Sequence, residues 1–312
     1  MYNRLVKEIT KGWKKMAKRQ EWNWKTKNLA KLERAKEVIE ELSQYKPLTL
    51  RQIYYQLVGK GYIENNKSQY IYLSKLLKFA RINGLIDWED MEDRNRVFKN
   101  HEGFIDKNTF VKQEYDNFLL GYYRDFMQDQ DNYIEVWIEK DALSSIFNPI
   151  CREYGINLIV CKGFSSTSFL LDFKERISWA TGTIKILYFG DFDPSGLEMI
   201  PAMETTVNDE MKLEQDIEYI QIALTEEDCS GLIQNPDSIK PGDTRAKKFI
   251  AQYGEHGYEL DAMPMETLTS KLKEAIEDNI DIELYQEQKN IWRKELKQLT
   301  ALRNKAKELL GF

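Results

Sequence analysis

The strongest constraint on the fold is an alternation of apolar, β-prone runs with helix-compatible stretches in the second half of the chain. Three such runs occupy residues 133–138, 156–161 and 184–189. Helix-compatible stretches at 142–154 and 168–180 separate them, and a possible further strand follows at 219–223. Strands that alternate with helices at this spacing are typical of βαβ units. The pattern predicts an α/β fold with a mainly parallel, Rossmann-like sheet.

Charge divides the chain into two parts. Residues 1–100 contain 22 Lys and Arg against 12 Asp and Glu, a formal charge of +10. Residues 101–312 contain 23 against 39, a formal charge of −16. Such an asymmetry suggests modules with different partners, and the basic module is a candidate for binding a polyanion. At roughly 100 to 200 residues per domain, a chain of 312 residues favours two domains.

Helical periodicity dominates the first part of the chain. Residues 1–45 are predicted to form helices, the last ending near Tyr45, and further helices are predicted at 48–60 and 68–83. Apolar and acidic residues alternate at 85–89, which favours a strand or a β-wing. Three short helices followed by a wing, on a positively charged segment, are typical of a winged helix-turn-helix that binds DNA.

These patterns divide the chain into five segments. Basic N-terminal helices, a winged-helix DNA-binding domain, linker helices, the parallel-sheet domain and C-terminal helices are predicted in that order at residues 1–46, 47–100, 101–130, 131–263 and 264–312. No apolar run reaches the ~20 residues that cross a bilayer, and the first residues do not resemble a signal peptide. We therefore expect no membrane partner and a cytoplasmic location, at the nucleoid if the protein binds DNA.

The histidines and cysteines argue against two common kinds of catalytic site. The chain has only His101 and His256, which show no pairing pattern, and its three cysteines are too far apart for a zinc knuckle. A His-based zinc hydrolase or a Ser-His-Asp triad is therefore poorly supported. Chemistry in this chain is expected to depend on carboxylates or tyrosines.

Acidic residues follow two of the predicted strands. Glu139 comes after the first strand, and Asp191 and Asp193 come after the third. Because ligands of open α/β sheets bind beyond the carboxyl ends of the strands, these carboxylates are expected to converge. Mg²⁺ prefers a few carboxylates and retained waters, so Asp191 and Asp193 are predicted metal ligands and Glu139 a further ligand or a general acid/base. The alternative is that the Asp-x-Asp pair only caps the next helix in a solvated loop.

Two adjacent tyrosines on the predicted helix at 48–60 fall on different faces. Tyr54 lies on the apolar face, whereas Arg51 and Tyr55, four residues apart, lie on another stripe. We therefore expect Tyr54 in the core and Tyr55 exposed beside a cation. In that position Arg51 would hold a phosphate or stabilise developing negative charge while Tyr55 attacks a phosphodiester. The alternative is that Tyr55 packs at an interface, with Arg51 stacked on its ring.

Two further groups of residues are candidates for binding phosphate. On the predicted helix at 68–83, three basic side chains point away from the apolar stripe and are candidates for contacting the DNA backbone: Lys75, Lys78 and Arg81. The turn after the second strand offers N–H groups and hydroxyls at a helix N-terminus, from Lys162, Gly163, Ser165 and Ser166. The alternatives are a solvated helix face and a plain capped turn.

Two motifs in the second half resemble those of a known domain. One strand ends in Ile-Glu-Lys-Asp-Ala at 138–142, another in Asp-x-Asp-x-x-Gly at 191–196, with a Lys-Gly turn between them. Residues 131–225 thereby resemble the Toprim domain of topoisomerases, primases and related nucleases. The resemblance implies that Glu139 is the family's glutamate and that Asp191 and Asp193 bind the metal, Mg²⁺ or Mn²⁺.

The order of parts extends the resemblance. With Arg-x-x-Tyr-Tyr at 51–55, residues 47–225 look like the A subunit of topoisomerase VI and its relative, the meiotic double-strand-break protein. This implies that Tyr55 is the nucleophile and Arg51 the motif arginine. It also implies a homodimer in which one subunit's tyrosine works with the partner's metal and leaves a 5′-phosphotyrosyl end.

The chain also departs from that family. Residues 67–96 look more like uncharacterised winged-helix and Toprim proteins of phages and mobile elements. An ATPase module is not part of this sequence, so strand passage is expected to need a separate ATPase subunit.

These patterns favour a Mg²⁺-dependent DNA strand-cleaving enzyme with Tyr55 as nucleophile, and they leave two alternatives. One is a hydrolytic Toprim nuclease, in which water attacks and Tyr55 only binds. The other is a DNA-binding or assembly protein that retains the site without turnover. Cleavage that survives Tyr55→Phe would indicate the former, and salt-sensitive binding without cleavage would indicate the latter.

Overall fold

The first described part of the chain is a unit of three helices. The computed structural model describes residues 26–92, 103–161, 167–180, 182–236, 238–239 and 244–310. Its first elements, in chain order, are Thr26–Glu41 (α1), Leu48–Thr49 (β1), Leu50–Gly59 (α2), Lys67–Ile82 (α3) and Met91–Glu92 (β2). The short strands β1 and β2 pair in parallel. The helices predicted at 48–60 and 68–83 are confirmed, while those predicted before residue 26 lie outside the described residues.

Helix α2 begins at a capping box. The Thr49 hydroxyl accepts a hydrogen bond from the Gln52 backbone N–H, and the Gln52 side chain accepts one from the Thr49 N–H at 2.7 Å. The three helices share an apolar core that includes Leu32, Ala35, Val38 and Ile39 of α1, Ile53, Tyr54 and Leu57 of α2, and Leu73, Leu76, Leu77 and Ala80 of α3. The core position of Tyr54 and the apolar stripe of α3 are thereby confirmed.

The predicted strand or wing at 85–89 is wrong. This segment consists of bends that lead into a 3₁₀ turn at Trp88–Asp90, and β2 starts only at Met91. The Arg81 guanidinium lies 4.6 Å from the centre of the Trp88 ring and donates hydrogen bonds to the Trp88 and Met91 carbonyls. These contacts fold the segment back on α3, so its alternation of apolar and acidic residues does not mark a strand.

The second half of the described chain forms a four-stranded parallel sheet. After Lys107–Asn117 (α4), the elements are Tyr133–Ile138 (β3), Ser144–Tyr154 (α5), Asn157–Val160 (β4), Thr167–Ile177 (α6), Ile184–Phe189 (β5) and, later in the chain, Ile217–Ala223 (β6). The strand order is β4-β3-β5-β6, and each neighbouring pair is parallel. The four predicted strands and the mixed α/β class are confirmed.

Short helices and two longer ones complete the described chain. Between β5 and β6 lie Pro194–Leu197 (α7) and Met199–Glu204 (α8). After β6 come Ala246–Tyr253 (α9), a 3₁₀ turn at Leu260–Ala262, Met265–Glu277 (α10) and Ile282–Leu310 (α11). The last two confirm the predicted C-terminal helices. No helix in the described part of the chain combines the length and apolar character needed to cross a membrane.

The two faces of the sheet bury different helices. On one face, Phe147 of α5 packs edge-to-face on Phe189 of β5, with ring centroids 4.9 Å apart. On the other, Trp137 of β3 packs on Phe173 of α6 at 5.1 Å, in a cluster that includes Met199 of α8. The chain thus leaves β3 toward one face and β5 toward the other. Ligands of open α/β sheets bind in the crevice between the carboxyl ends of such diverging neighbours.

The N-terminal helices pack against the same sheet. One contiguous buried cluster includes Leu32 of α1, Ile53 of α2, Phe189 of β5 and Leu272 of α10. The Gln52 side chain donates a hydrogen bond of 2.9 Å to the carbonyl of Ala142, shortly after β3. Helix α2 is therefore fixed beside the crevice at the carboxyl end of β3.

Candidate functional site

The candidate site lies where β3 and β5 end. Strand β3 leads into Glu139 and Lys140, and β5 leads through Gly190 into Asp191. The Asp191 backbone N–H donates a hydrogen bond of 3.0 Å to Glu139 Oε2. The structure therefore brings Glu139 and Asp191 together at the switch point of the sheet.

Asp191 and Asp193 have different surroundings. Asp193 Oδ1 accepts hydrogen bonds from the N–H groups of Ser195 and Gly196, at 2.8 and 2.7 Å, and so caps α7. This is the capping arrangement that the sequence left open as an alternative. Asp191 is buried, with 5% of its surface exposed, and its Oδ1 accepts the Leu260 N–H at 2.8 Å. Asp191 is thus the aspartate at the centre of the site.

Two further acidic residues, from the segment before α10, complete the cluster. An antiparallel bridge between Phe192 and Tyr258 lays the segment before Leu260 along the end of β5. Glu259 and Asp261 thereby reach the site, and Asp261 is only 3% exposed. No regular periodicity marks this segment, and its one local signal is a pair of acids on either side of an apolar residue.

Lys140 supplies positive charge to this cluster. Its Nζ is 2.6 Å from Asp191 Oδ1, forms a short ion pair with Glu259, and lies 3.6 Å from Asp261 Oδ2. Burial by itself would lower the pKa of Lys140, but the three carboxylates outweigh it and hold the pKa above its ordinary value. Burial would raise the pKa of Glu259, but Lys140 and Arg51 outweigh it and lower the pKa to about 2. Both partners are therefore charged at neutral pH.

Helix α2 contributes Arg51 and Tyr55 to the same site. The Arg51 guanidinium forms ion pairs with Glu259 through Nη2 and with Asp261 through Nε. Its central carbon lies 5.1 Å from the centre of the Tyr55 ring, and Nη2 is 3.5 Å from the Tyr55 hydroxyl. Arg51 is thus stacked on Tyr55 at an interface, as in the alternative considered for this pair.

The predicted exposure of Tyr55 is wrong. The residue is 6% exposed, because α2 packs against the 3₁₀ turn at Leu260–Ala262 as well as against the helical core. Burial raises the pKa of Tyr55 and Glu259 raises it further, while Arg51 and Lys140 oppose the change. Tyr55 is therefore a neutral phenol at physiological pH.

The donor groups of this cluster suit a hard divalent cation. Glu139, Asp191, Glu259 and Asp261 supply carboxylate oxygens, the ligand type that Mg²⁺ prefers. Asp261 Oδ1 is buried and has no hydrogen-bond partner within the described residues. A cation bound beside this oxygen would supply the missing partner. Within the described ranges, however, no three His, Cys, Asp or Glu side chains are arranged to hold a metal ion as they stand. The ammonium group of Lys140 lies between the carboxylates.

An open cleft of about 670 Å³ lies between α2 and α3 on one side and residues 139–142 on the other. Its basic lining residues are Arg51, Lys78, Arg81 and Lys140. Of the predicted DNA contacts, Lys78 is exposed on the wall of the cleft, Arg81 is engaged by Trp88, and Lys75 is exposed elsewhere on α3. The predicted phosphate-binding residues Lys162, Gly163, Ser165 and Ser166 lie outside the described residues.

Two comparisons, with protein-family models and with curated proteins, give no relative to set beside this geometry. No protein-family model matches the chain. No curated protein matches it either. The functional conclusion therefore rests on the site and on the motifs of the sequence.

Proposed function

We propose that this protein cleaves DNA strands by a divalent-metal-dependent phosphoryl transfer in which Tyr55 is the attacking group. One observation carries the proposal. The Arg51 guanidinium, stacked on Tyr55, pairs with Glu259 and Asp261 beside the buried Asp191. A potential nucleophile, a guanidinium and several carboxylates are thereby gathered at the switch point of one sheet. This combination supports chemistry on a phosphodiester.

The cleft supports a nucleic-acid substrate. Lys78 lies on one wall and Lys140 on the other, and the cleft is open to solvent. The exposed Lys78 suits the phosphates of a strand bound in the cleft, because phosphate contacts dominate the affinity of most DNA-binding proteins.

The metal would be held by Asp191 and Asp193, and it would be Mg²⁺ or Mn²⁺. Asp193 caps α7 through one oxygen and would offer the other. A bound metal of this kind supplies Lewis-acid stabilisation of negative charge on phosphoryl oxygens.

Side chains of this chain would carry out the bond-forming and proton-transfer steps. Tyr55 Oη forms a bond to phosphorus as its proton passes to a water molecule, and the bond from phosphorus to the 3′ oxygen breaks. Arg51, released from its carboxylates, neutralises charge on the phosphoryl oxygens. Burial raises the pKa of Glu139, which favours this residue as the acid that protonates the leaving oxygen. The products are a 3′ hydroxyl and a 5′-phosphotyrosyl link.

Hydrolysis is a second candidate, and the burial of Tyr55 favours it. A side chain that is 6% exposed and has a raised pKa attacks poorly unless α2 moves away from the Leu260–Ala262 turn. In the hydrolytic reaction water attacks the phosphorus, and both DNA ends are free of protein. A DNA-binding or assembly role without turnover would leave the DNA uncut.

Plasmid cleavage distinguishes these functions. Supercoiled DNA is incubated with the protein and Mg²⁺ or Mn²⁺, denatured with detergent, and examined for nicks, breaks and attached protein. We expect attached protein with the wild type and none with Tyr55→Phe. Tyr54→Phe is the matched control, because Tyr54 is equally buried but its hydroxyl bonds to residues 64–66.

The other outcomes of the plasmid-cleavage assay identify the other candidate functions. Free ends made by both the wild type and Tyr55→Phe would assign hydrolysis, and DNA that is bound but uncut would reject both reactions. The double variant Asp191→Asn, Asp193→Asn tests the metal ligands. Full cleavage by this variant would contradict the carboxylate site.

A further inference from the structure

Lys140 fills a position that three carboxylates share. Its Nζ is 2.6 Å from Asp191 Oδ1 and 3.6 Å from Asp261 Oδ2, and it forms a short ion pair with Glu259. The carboxylates come from separate segments, the end of β5 and the turn before α10. Oxygens that converge on one point from different segments form a cation site, which here holds an ammonium group.

Asp261 gives an independent sign that this cluster accepts a further cation. Its side chain is fully buried, and Oδ2 is paired with Arg51. Its other oxygen, Oδ1, is buried without a hydrogen-bond partner among the described residues. A buried, unpaired carboxylate oxygen is costly, and a cation that reached it would recover that cost.

The position of Lys140 also allows it to leave the cluster. The residue lines the open cleft, so its flexible four-carbon stem has space into which to swing. Outside the cluster its ammonium group would face the phosphates of a strand bound in the cleft.

We propose that Lys140 is a resident cation that a divalent metal ion displaces from Asp191, Glu259 and Asp261. The exchange deepens the proposed function and rests on it, because the incoming ion is the metal of the cleavage reaction. It adds Glu259 and Asp261 to the residues that bind the metal. A cluster that always contains a cation avoids repulsion between its carboxylates in either state.

Metal binding in the absence of nucleic acid tests the exchange. Binding of Mn²⁺ to the wild type and to Lys140→Met is measured from the electron paramagnetic resonance signal of free Mn²⁺. Lys140→Met keeps an apolar stem but removes the competing charge, so we expect it to bind Mn²⁺ about tenfold more tightly. Lys140→Arg should stay near the wild type. Lys185→Met is the matched control, because Lys185 lies in the same sheet and pairs with Glu218 instead.

Two results would overturn the proposal. One is equal affinity for Mn²⁺ in Lys140→Met and Lys185→Met. The other is tight binding to Lys140→Met that survives the addition of Asp261→Asn, since the displaced cluster would then not be the site of binding.

A second measurement uses the wild-type protein and does not depend on the folding of a variant. Acetylation of lysines by a succinimidyl ester is followed by mass spectrometry with and without Mn²⁺. Release of Lys140 into the cleft predicts several-fold faster acetylation of Lys140 with Mn²⁺, and an unchanged rate at Lys185. An unchanged rate at Lys140 would overturn the exchange.

Failure of the exchange and failure of the proposed function are distinguishable. Because no nucleic acid is present in these experiments, exchange without plasmid cleavage would reject the cleavage reaction alone. Cleavage without exchange would reject only the role of Lys140 as a displaced cation.

Discussion

At the scale of single residues, the site depends on a glycine. A Cβ atom on Gly196 would lie 2.1 Å from the Asp191 carbonyl oxygen, far inside contact distance. Gly196→Ala must therefore push apart the turn that carries Asp191 and Asp193. We expect it to lower the free energy of unfolding by about 1–3 kcal/mol, as overpacking does elsewhere, and to reduce cleavage.

The control for this substitution is Gly59→Ala. Gly59 ends α2, and a Cβ there would meet no atom within 4 Å. Urea denaturation of both variants measures the difference in stability. If Gly196→Ala proved as stable as Gly59→Ala, the close approach of the turn would be contradicted.

The raised pKa of Tyr55 predicts a pH dependence of stability. In the unfolded chain this tyrosine loses its proton near the ordinary value of 10.0, whereas burial in the folded protein keeps the proton bound. The folded state then binds more protons than the unfolded state above about pH 10, so stability falls as pH rises. Each such group contributes at most about 1.4 kcal/mol per pH unit.

Tyr55→Phe should remove that contribution. Urea denaturation from pH 8.5 to pH 11 should therefore show a smaller loss of stability with pH in Tyr55→Phe than in the wild type. Identical slopes in the two proteins would mean that Tyr55 titrates normally in the folded state.

Helical phase predicts the environment of Tyr54 correctly and that of Tyr55 wrongly. The phase identifies the face of α2 that meets its neighbouring helices, and Tyr54 lies on it. It carries no information about the Leu260–Ala262 turn, which buries the second face of α2. Local patterns do not predict where Glu259 and Asp261 lie, because their position depends on an antiparallel bridge between distant segments.

At the scale of elements, helix α3 presents two exposed lysines in different settings. Lys78 lines the cleft, whereas Lys75, one turn earlier, is exposed outside it. If phosphates lie in the cleft, Lys78→Gln should weaken DNA binding and reduce the slope of log affinity against log salt by about 0.9. Lys75→Gln should change the slope much less.

Fluorescence anisotropy of a labelled duplex at several salt concentrations measures both slopes. The two variants remove the same charge from the same helix, so net charge cancels in the comparison. Equal slopes for Lys78→Gln and Lys75→Gln would place the phosphates elsewhere.

The sequence predicts the strands of the four-stranded sheet, but it does not predict the two-residue strands β1 and β2. Strands buried on both faces read as continuous apolar runs, which is why the sequence predicts β3 and β5 at their observed positions. The segment 85–89 alternates without forming a strand, because Arg81 stacks on Trp88 and holds the segment against α3. The adjacent Asp90 forms an ion pair of 2.8 Å with Lys46. The two-residue strands β1 and β2 are too short to leave a pattern.

At the scale of the whole molecule, the basic and acidic parts of the chain meet at the site. Arg51, from the part with a charge of +10, pairs with Asp261, from the part with a charge of −16. These residues are 210 positions apart, so sequence patterns could predict each part but not the contact between them. The net charge of −6 thus describes neither of these two parts.

The structure also bears on which chain supplies each group. The resemblance to the topoisomerase VI A subunit implies that the tyrosine of one subunit works with the metal of its partner. In the structure, Arg51 links Tyr55 to the carboxylates of the same chain. We therefore expect each chain to use its own Tyr55 with its own Asp191.

Mixed assemblies of variants test this most directly. Tyr55→Phe and Asp191→Asn chains with different tags are co-expressed, or combined in equal amounts if they do not assemble, and assayed for protein attached to cleaved DNA. Wild type combined with Tyr55→Phe is the positive control and should give adducts on the wild-type chain. For the two variants together we predict no adduct, because neither chain holds both groups. An adduct on the Asp191→Asn chain would contradict this, since its Tyr55 would then act with the partner's Asp191.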